Sequence, residues 1–132
     1  MAFLNRKNRQ MKSIYTFALS AFLLFATSCE TKPAFDTALF EGAWKCAVMV
    51  TDGTEDLNPQ NIVFDFKKDS TYSYAGGSYT EAGKWYLEGD KLVTIANNDL
   101  EKKVQIEKIN ADTLIMNMND RGTEVKLILL AQ

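Results

Sequence analysis

The spacing of turn residues is the strongest constraint on the fold of this chain. From Phe35 onward, apolar and polar residues alternate in short segments, and turn-forming residues separate each segment from the next. Alternation of this kind is typical of β-strands with one buried face. It predicts eight strands, at residues 43–50, 62–66, 71–74, 84–87, 92–96, 102–109, 113–118 and 123–130. No gap between them is long enough for the helix that connects parallel strands, so consecutive strands are expected to be antiparallel neighbours.

A meander of eight strands has two exposed edges unless the first and last strands pair. Closing the sheet produces a barrel whose interior is filled by side chains or holds one small ligand. We therefore expect an all-β protein, an eight-stranded antiparallel up-and-down barrel, with an open sandwich of the same strands as the alternative. Residues 34–40 precede the first strand and are expected to form a short helical turn capped by Asp36.

Two segments decide which side chains face the interior. In the first strand, alternation places Trp44, Cys46, Val48 and Val50 on one face. Residues 99–109 are ambiguous because their Glu and Lys content favours a helix. As a strand, this segment has Leu100, Val104 and Ile106 on one face and only Ile109 off it, whereas a helix would divide them between opposite sides. We therefore favour a strand.

The first 28 residues have the layout of a secretory signal peptide. Four basic residues precede an uncharged apolar stretch at residues 14–26, and the small residues Thr27 and Ser28 follow it. The apolar stretch is shorter than the roughly 18 to 20 residues that a membrane-spanning helix needs. We expect a signal peptide, with a permanent anchor helix as the alternative, and both Met1 and Met11 are possible starts.

The end of this segment, ATSC at residues 26–29, resembles the lipobox of bacterial lipoproteins. The resemblance implies that Cys29 becomes the lipidated amino terminus and anchors the protein in the bacterial cell envelope, with the outer membrane as the expected location. Residues 29–34 would then be a tether and residues 35–132 the folded domain. Because the chain has only two cysteines, a disulfide between Cys29 and Cys46 is the alternative.

Composition and charge argue against several functions. The chain contains no His, which excludes His-based catalytic triads and His-ligated metals. After residue 28 the sequence holds 11 basic and 17 acidic residues, a balance that repels nucleic-acid phosphates. Asp52, Glu55 and Asp56 offer oxygen ligands but lack the spacing of an EF-hand. We expect no catalytic residues, no metal site, no cofactor and no nucleic-acid partner.

Three residues at the start of the first strand, Gly42-Ala43-Trp44, resemble the Gly-x-Trp signature of lipocalins. The later segments GKWYL at residues 83–87 and GDKL at residues 89–92 resemble the small lipocalin-like domains of Bacteroidetes-type lipoproteins. This resemblance implies that Gly42 and Trp44 lie at the closed base of the barrel. In lipocalins a basic side chain from the last strand covers this Trp, but residues 128–132 contain neither Arg nor Lys.

The aromatic residues suggest where a ligand would bind. After Cys29 all ten lie between Phe35 and Tyr86. Six of them are candidates for one wall of an apolar pocket: Phe64, Phe66, Tyr72, Tyr74, Trp85 and Tyr86. The alternative is that they fill a solid barrel core. Cys46 is expected to be a buried, inert thiol.

Alternate loops of an up-and-down meander share one rim. The loops at residues 51–61, 75–78, 97–99 and 120–122 are therefore expected to frame the end away from Trp44. Their charged residues are Asp52, Glu55, Asp56, Asp99 and Asp120 against Arg121 alone, a distribution that would repel anionic ligands.

Two functions fit these observations. One is a lipid-anchored envelope protein of lipocalin-like fold that binds a small apolar or amphipathic molecule. The other is a protein-interaction lipoprotein, such as an inhibitor, an immunity factor or an accessory subunit, with a solid barrel and functional loops. A connected cavity of about 300 Å³ or more would favour the first.

Overall fold

The computed structural model describes residues 32–59 and 61–132. A single 3-10 turn, Thr37–Phe40, precedes nine strands in this part of the chain. The strands are β1 (Gly42–Thr51), β2 (Thr54–Asp56), β3 (Val63–Phe66), β4 (Thr71–Gly76), β5 (Tyr79–Glu88), β6 (Lys91–Ala96), β7 (Glu101–Ile109), β8 (Thr113–Asp120) and β9 (Thr123–Ala131). The predicted signal peptide and Cys29 lie outside the described residues. Within those residues, no helix has the length and apolar character needed to span a membrane.

The sheet is closed by its first and last strands. β1 pairs with β9 from Trp44–Ala131 at one end to Thr51–Val125 at the other. All neighbouring strands are antiparallel, and β1 together with β3 to β9 forms the predicted eight-stranded up-and-down barrel. The open sandwich is therefore excluded, and the strand alternative for residues 99–109 is confirmed by β7.

The one additional strand, β2, lies in the segment that we expected to be a loop. It pairs only with the end of β1, between Met49–Asp56 and Thr51–Thr54. The turn between the two strands consists of Asp52 and Gly53, both with positive φ (47° and 82°). Asp-Gly favours this type of hairpin turn, so the sequence DG explains the extra strand.

A β-bulge at Ala47 changes which residues of β1 face inward. Cys46 pairs with Leu129 and Val48 pairs with Ile128, which leaves Ala47 without a pairing partner. Since one extra residue reverses the alternation, Met49 faces the interior and packs against the core. The prediction that Val48 and Val50 share the face of Trp44 is therefore wrong.

A second bulge, at Glu107, explains the apparent outlier in β7. Ile106 pairs with Met116 and Lys108 pairs with Ile115. After this bulge Ile109 returns to the inner face, opposite Leu114, and packs against the core. Both irregularities therefore keep apolar side chains inside the barrel.

The end of the barrel at which β1 begins is closed and densely packed. The Asp36 side chain caps the 3-10 turn by accepting a hydrogen bond from the Ala38 amide. This turn places Phe40 in the core, and the Phe40 carbonyl accepts a 2.8 Å hydrogen bond from the Trp44 indole. Trp44 is only 2% exposed, as predicted for the base of the barrel. Gly42 has φ of +115°, a conformation that favours glycine and gives the Gly-x-Trp pattern a backbone basis.

Three aromatic rings form the centre of this packed end. The Phe40 and Trp85 ring centroids are 5.9 Å apart, and those of Phe66 and Trp85 are 5.3 Å apart. The Trp85 indole donates to the Lys67 carbonyl at 3.2 Å, so both indoles of this half have hydrogen-bond partners. Buried aliphatic side chains complete the packing: Leu87, Leu114 and Leu129.

Candidate functional site

The other end of the barrel contains a cavity of about 620 Å³. One wall is aromatic and comes mainly from β3, β4 and β5. The opposite wall is aliphatic and rich in methionine, and comes from β1 and from β6 to β9. The apolar lining residues are Met49, Ile62, Phe64, Tyr72, Tyr74, Tyr79, Leu92, Val104, Met116, Met118, Val125 and Leu127. The barrel is thus solid at one end and hollow at the other.

The six aromatic residues predicted to line a pocket fall into three groups. Phe64, Tyr72 and Tyr74 do line the cavity. Phe66 and Trp85 belong to the packed closed end, where they are 1% and 5% exposed. For Tyr86 the prediction is wrong, because it alternates with the buried Trp85 and Leu87 on β5 and is 43% exposed.

The aromatic wall runs continuously from the packed end to the mouth. The Phe66 ring stacks on the Phe64 ring, with centroids 5.7 Å apart. The Phe64 and Tyr74 ring centroids are 4.8 Å apart. Tyr74 in turn lies 6.1 Å from Tyr79, which begins β5 at the rim and is half exposed. Such a series of rings offers an elongated apolar surface to a ligand.

Six polar residues also line the cavity: Glu81, Thr94, Lys102, Lys103, Asn119 and Asp120. The Tyr72 hydroxyl and the Glu81 Oε1 are buried and form no hydrogen bond of good geometry within the described residues. The other carboxylate oxygen of Glu81, Oε2, lies 3.4 Å from the Lys102 Nζ. The Glu81 side chain is 7% exposed and that of Lys102 is 49% exposed, so the carboxylate lies inside and its counter-ion lies at the mouth.

Burial changes the acidity of the interior groups. It raises the pKa of Tyr72, and the neighbouring Glu81 carboxylate raises it further, although Thr94 opposes this shift. Burial also raises the pKa of Tyr74. Burial likewise raises the pKa of the Cys46 thiol, which donates to the Val48 carbonyl at 3.3 Å. Cys46 is thus a buried protonated thiol, as expected for an inert one.

The cavity also reaches a gap in the barrel wall. Near the mouth, the pairing of β7 with β8 stops at Gln105–Asn117, whereas the pairing of β8 with β9 continues to Asp120–Thr123. β7 and β8 therefore separate toward the mouth. A groove of about 300 Å³ on the outer surface shares Lys103, Met118 and Asn119 with the cavity. This gap is a second opening beside the rim.

The predicted rim residues are exposed, but they have structural roles as well. Asp52 accepts a hydrogen bond from the Glu124 amide at 3.0 Å and so ties the β1–β2 turn to β9. Asp56 accepts from the Asn58 amide at 2.9 Å within its own loop. Glu55 is exposed on β2.

The expectation that the charged residues at the mouth are acidic apart from Arg121 needs correction. The lining of the cavity contains Glu81 and Asp120, but it also contains Lys102 and Lys103. Neither lysine was predicted to line the cavity, because residues 101–103 have the composition of an ordinary polar surface. The charge that a ligand meets inside the mouth is therefore mixed rather than acidic.

Glu81 and Met49 are two further lining residues, among several, that were not predicted from the sequence. Glu81 was outside the predicted strand, which began at residue 84. Counting back in steps of two from Trp85 places Gly83 and Glu81 on the inner face, and an acidic residue there is a detectable signal. Met49 had no such signal, since residues 46–50 are all apolar and alternation cannot locate a bulge among them.

The closed meander, the short turn before β1 and the Trp at the packed base define the barrel as lipocalin-type. Similar solved structures agree. A lipocalin-like protein from Bacteroides uniformis has a TM-score of 0.56 and 19% identity, with 71% of this chain and 99% of that chain covered. An uncharacterized protein from Bacteroides eggerthii has a TM-score of 0.54 and 15% identity, with coverages of 70% and 99%. Insecticyanin from the tobacco hornworm Manduca sexta has a TM-score of 0.56 and 13% identity, with coverages of 76% and 66%.

Sequence comparison identifies the family within this class. The family model of the lipocalin-like domain matches residues 40–116, more than half of the chain. The chain therefore belongs to the lipocalin-like domain family, as its Gly-x-Trp pattern predicted. No curated protein matches the sequence.

Proposed function

We propose that this chain is a lipid-anchored protein of the bacterial envelope that binds a small apolar or amphipathic molecule inside its barrel. The cavity carries this proposal. Its volume of about 620 Å³ lies within the range of roughly 300 to 1,000 Å³ that small-molecule sites occupy. A mostly apolar lining with a few polar groups is also typical of such sites. A solid barrel with functional loops, the alternative function, would not need this volume.

The family supports a role in binding rather than catalysis. Lipocalin-like barrels commonly bind small hydrophobic ligands and are typically not enzymes. In this chain the aromatic wall offers van der Waals contact to an elongated apolar body. We infer that the protein holds or carries its ligand without changing it.

The path of the chain before β1 supports an orientation on the membrane. The Ala34 amide donates to the Gly89 carbonyl at 2.8 Å, in the turn between β5 and β6 at the closed end. A lipid on Cys29 would be only five residues from this contact. The packed end would then face the membrane, and the mouth would face away from it.

Binding in the cavity is tested with diphenylhexatriene, a hydrocarbon without polar groups that fluoresces in apolar surroundings. The full-length chain should bind it, and Val125→Trp should weaken binding at least about ten-fold because the indole fills part of the cavity. Ile115→Trp is the matched control, since Ile115 pairs with Ile128 on the outer face. Equal binding by both variants, or no binding by the parent chain, would contradict the proposal.

The anchor is tested with Cys29→Ala in the native host or a related bacterium. The variant should lack the acyl mass and remain unprocessed or soluble. Cys46→Ala is the control and should keep both the acyl mass and the membrane association. If Cys29→Ala still partitions into detergent with a mature amino terminus, the lipoprotein proposal fails.

A further inference from the structure

Two buried polar atoms in the cavity form no hydrogen bond of good geometry within the described residues. They are the Tyr72 hydroxyl and the Glu81 Oε1, and both residues line the same cavity. Buried polar groups in folded proteins are nearly always paired, because an unpaired one loses its hydration without compensation. When such a group lines a binding cavity, a molecule bound there can supply the missing hydrogen-bond partner.

The two residues lie on adjacent strands and close to each other. Glu81 pairs with Tyr74 across β4 and β5, and Tyr72 pairs with Gly83, one step further along the same face. The Glu81 carboxylate and the Thr94 side chain both lie close enough to the Tyr72 hydroxyl to shift its pKa, although neither forms a well-aligned hydrogen bond with it. Gly83, which lies opposite Tyr72 and two residues from Glu81 on β5, has no side chain that could come between Tyr72 and Glu81.

Only one of the two oxygens of the Glu81 carboxylate has an ion-pair partner among the described residues. The Lys102 Nζ lies at the mouth, 3.4 Å from Glu81 Oε2, which is a long distance for an ion pair. This contact does not include Oε1. Charge-assisted hydrogen bonds are shorter, at about 2.7 to 2.9 Å. A donor entering the cavity would therefore improve on the existing contact.

We propose that Glu81 and Tyr72 are the head-group site of the cavity, and that the ligand is an amphipathic molecule whose head donates hydrogen bonds, with a protonated amine bound best. This proposal rests on ligand binding inside the barrel and names its chemical class. An ammonium donates to Glu81 Oε1 and to the Tyr72 oxygen, while its apolar body lies along Phe64 and Met118. A hydroxyl has one proton, so it donates to Glu81 Oε1 and accepts from the Tyr72 hydroxyl, without the charge. A carboxylate head meets the Glu81 charge and is disfavoured.

The test compares three twelve-carbon probes that differ only in the head. Dodecylamine, dodecanol and dodecanoate are titrated calorimetrically, below their micelle concentrations, into the full-length chain at neutral pH. We expect dodecylamine to bind at least about ten-fold more tightly than dodecanoate, with dodecanol between them. Glu81→Gln should reduce this preference to less than about two-fold, and Tyr72→Phe should weaken dodecanol and dodecylamine about three- to ten-fold.

Matched controls separate the site from general effects of charge. Glu107→Gln removes an exposed carboxylate that pairs with Lys126 on the outer face, and Tyr86→Phe removes an exposed hydroxyl. Neither should change the order of the three probes. Equal affinity for all three, or an unchanged preference in Glu81→Gln, would overturn the head-group site while diphenylhexatriene binding still supports the cavity. Loss of diphenylhexatriene binding from the parent chain would overturn both.

Discussion

The two ends of the barrel are built from the same strands but packed to different degrees. At the closed end, Phe40, Trp44 and Phe66 are at most 2% exposed, and both indoles have hydrogen-bond partners. At the open end, Phe64 and Tyr74 are only partly buried, and the Tyr72 hydroxyl and Glu81 Oε1 form no well-aligned hydrogen bond with any described residue. The difference indicates that one half supplies most of the stability and the other supplies the binding site.

The closed end differs because an extra element enters it. The 3-10 turn adds Phe40 to the Phe66–Trp85 pair, and its ring centroid lies 6.5 Å from that of Phe66 and 5.9 Å from that of Trp85. No such insertion fills the open end in the described residues, where the strands β7 and β8 also separate. In this barrel the packed end therefore combines inward-facing strand side chains with Phe40 from the preceding turn.

Truncation of Trp44 should produce the largest loss of stability. Trp44→Ala removes a fully buried ring and its hydrogen bond to Phe40, and we expect the free energy of unfolding to fall by about 3 to 5 kcal/mol. Tyr79→Ala, at the half-exposed rim, should change it by less than about 1 kcal/mol. Urea denaturation measures both. Similar losses for the two variants would remove the distinction between the halves.

Two glycines on neighbouring strands differ in what surrounds them. A Cβ on Gly83 would clash with the backbone carbonyl of Ile95, so Gly83→Ala should destabilise the protein by about 1 to 3 kcal/mol. A Cβ on Gly76 would meet only the far end of the Tyr74 side chain, which has cavity space to move into. Gly76→Ala should therefore change stability by less than about 1 kcal/mol. Thermal unfolding of both variants decides the point, and the reverse order would contradict it.

Removing the Tyr72 hydroxyl and removing the Trp44 indole should change the stability of the protein in opposite directions. Tyr72→Phe removes a buried group without a partner, so stability should stay equal or rise by up to about 1 kcal/mol. Trp44→Phe leaves the Phe40 carbonyl without its donor and should lower stability by about 1 to 3 kcal/mol. A marked loss of stability in ligand-free Tyr72→Phe would show that the hydroxyl already has a partner within the chain.

The smallest expected effect is a dependence of stability on alkaline pH. Burial raises the pKa of Cys46 above its ordinary 9.0 and that of Tyr72 and Tyr74 above 10.0. The folded state thus keeps these protons longer than the unfolded state. The stability that they contribute is intact below the unfolded pKa values and declines as the pH rises through them toward the folded values.

Urea midpoints between about pH 8 and pH 11 measure this decline, and absorbance at 295 nm follows the ionisation of tyrosine. The double variant Cys46→Ala with Tyr72→Phe should have a shallower decline than the parent chain. An identical slope would mean that these groups are not shielded from water.

The architecture could be predicted because turn residues and alternation act locally. Pairs such as Glu88-Gly89 and Arg121-Gly122 mark turns, and the short gaps exclude crossover helices. The position of Trp44 followed from the Gly-x-Trp pattern. The extra strand β2 was missed, although the Asp52-Gly53 turn that forms it is visible in the sequence.

The cavity lining could be predicted only in part. Whether an inward-facing residue lines the cavity depends on the bulges and on how far along the barrel axis the residue lies. Alternation correctly placed Tyr72 and Tyr74 inside, but it could not distinguish a cavity wall from a core, so Phe66 and Trp85 were grouped with them. The bulge at Ala47 lies in an all-apolar stretch and brings Met49 into the cavity without a sequence signal. Lys102 pairs with Thr94, which also lines the cavity, and therefore lies on the same face of the sheet. Composition alone does not reveal this strand pairing.

The central claim is that one half of the barrel is hollow and the other solid, and the chain contains reporters for each. Met49, Met116 and Met118 all line the cavity, while the only two tryptophans, Trp44 and Trp85, lie in the packed half. The direct test is an NMR titration with dodecanol that follows the methionine methyl groups and the indole N–H groups together. We expect the three methyl signals to shift in a saturable manner while both indole signals stay in place. Indole shifts as large as the methyl shifts, or no methyl shift at all, would contradict it.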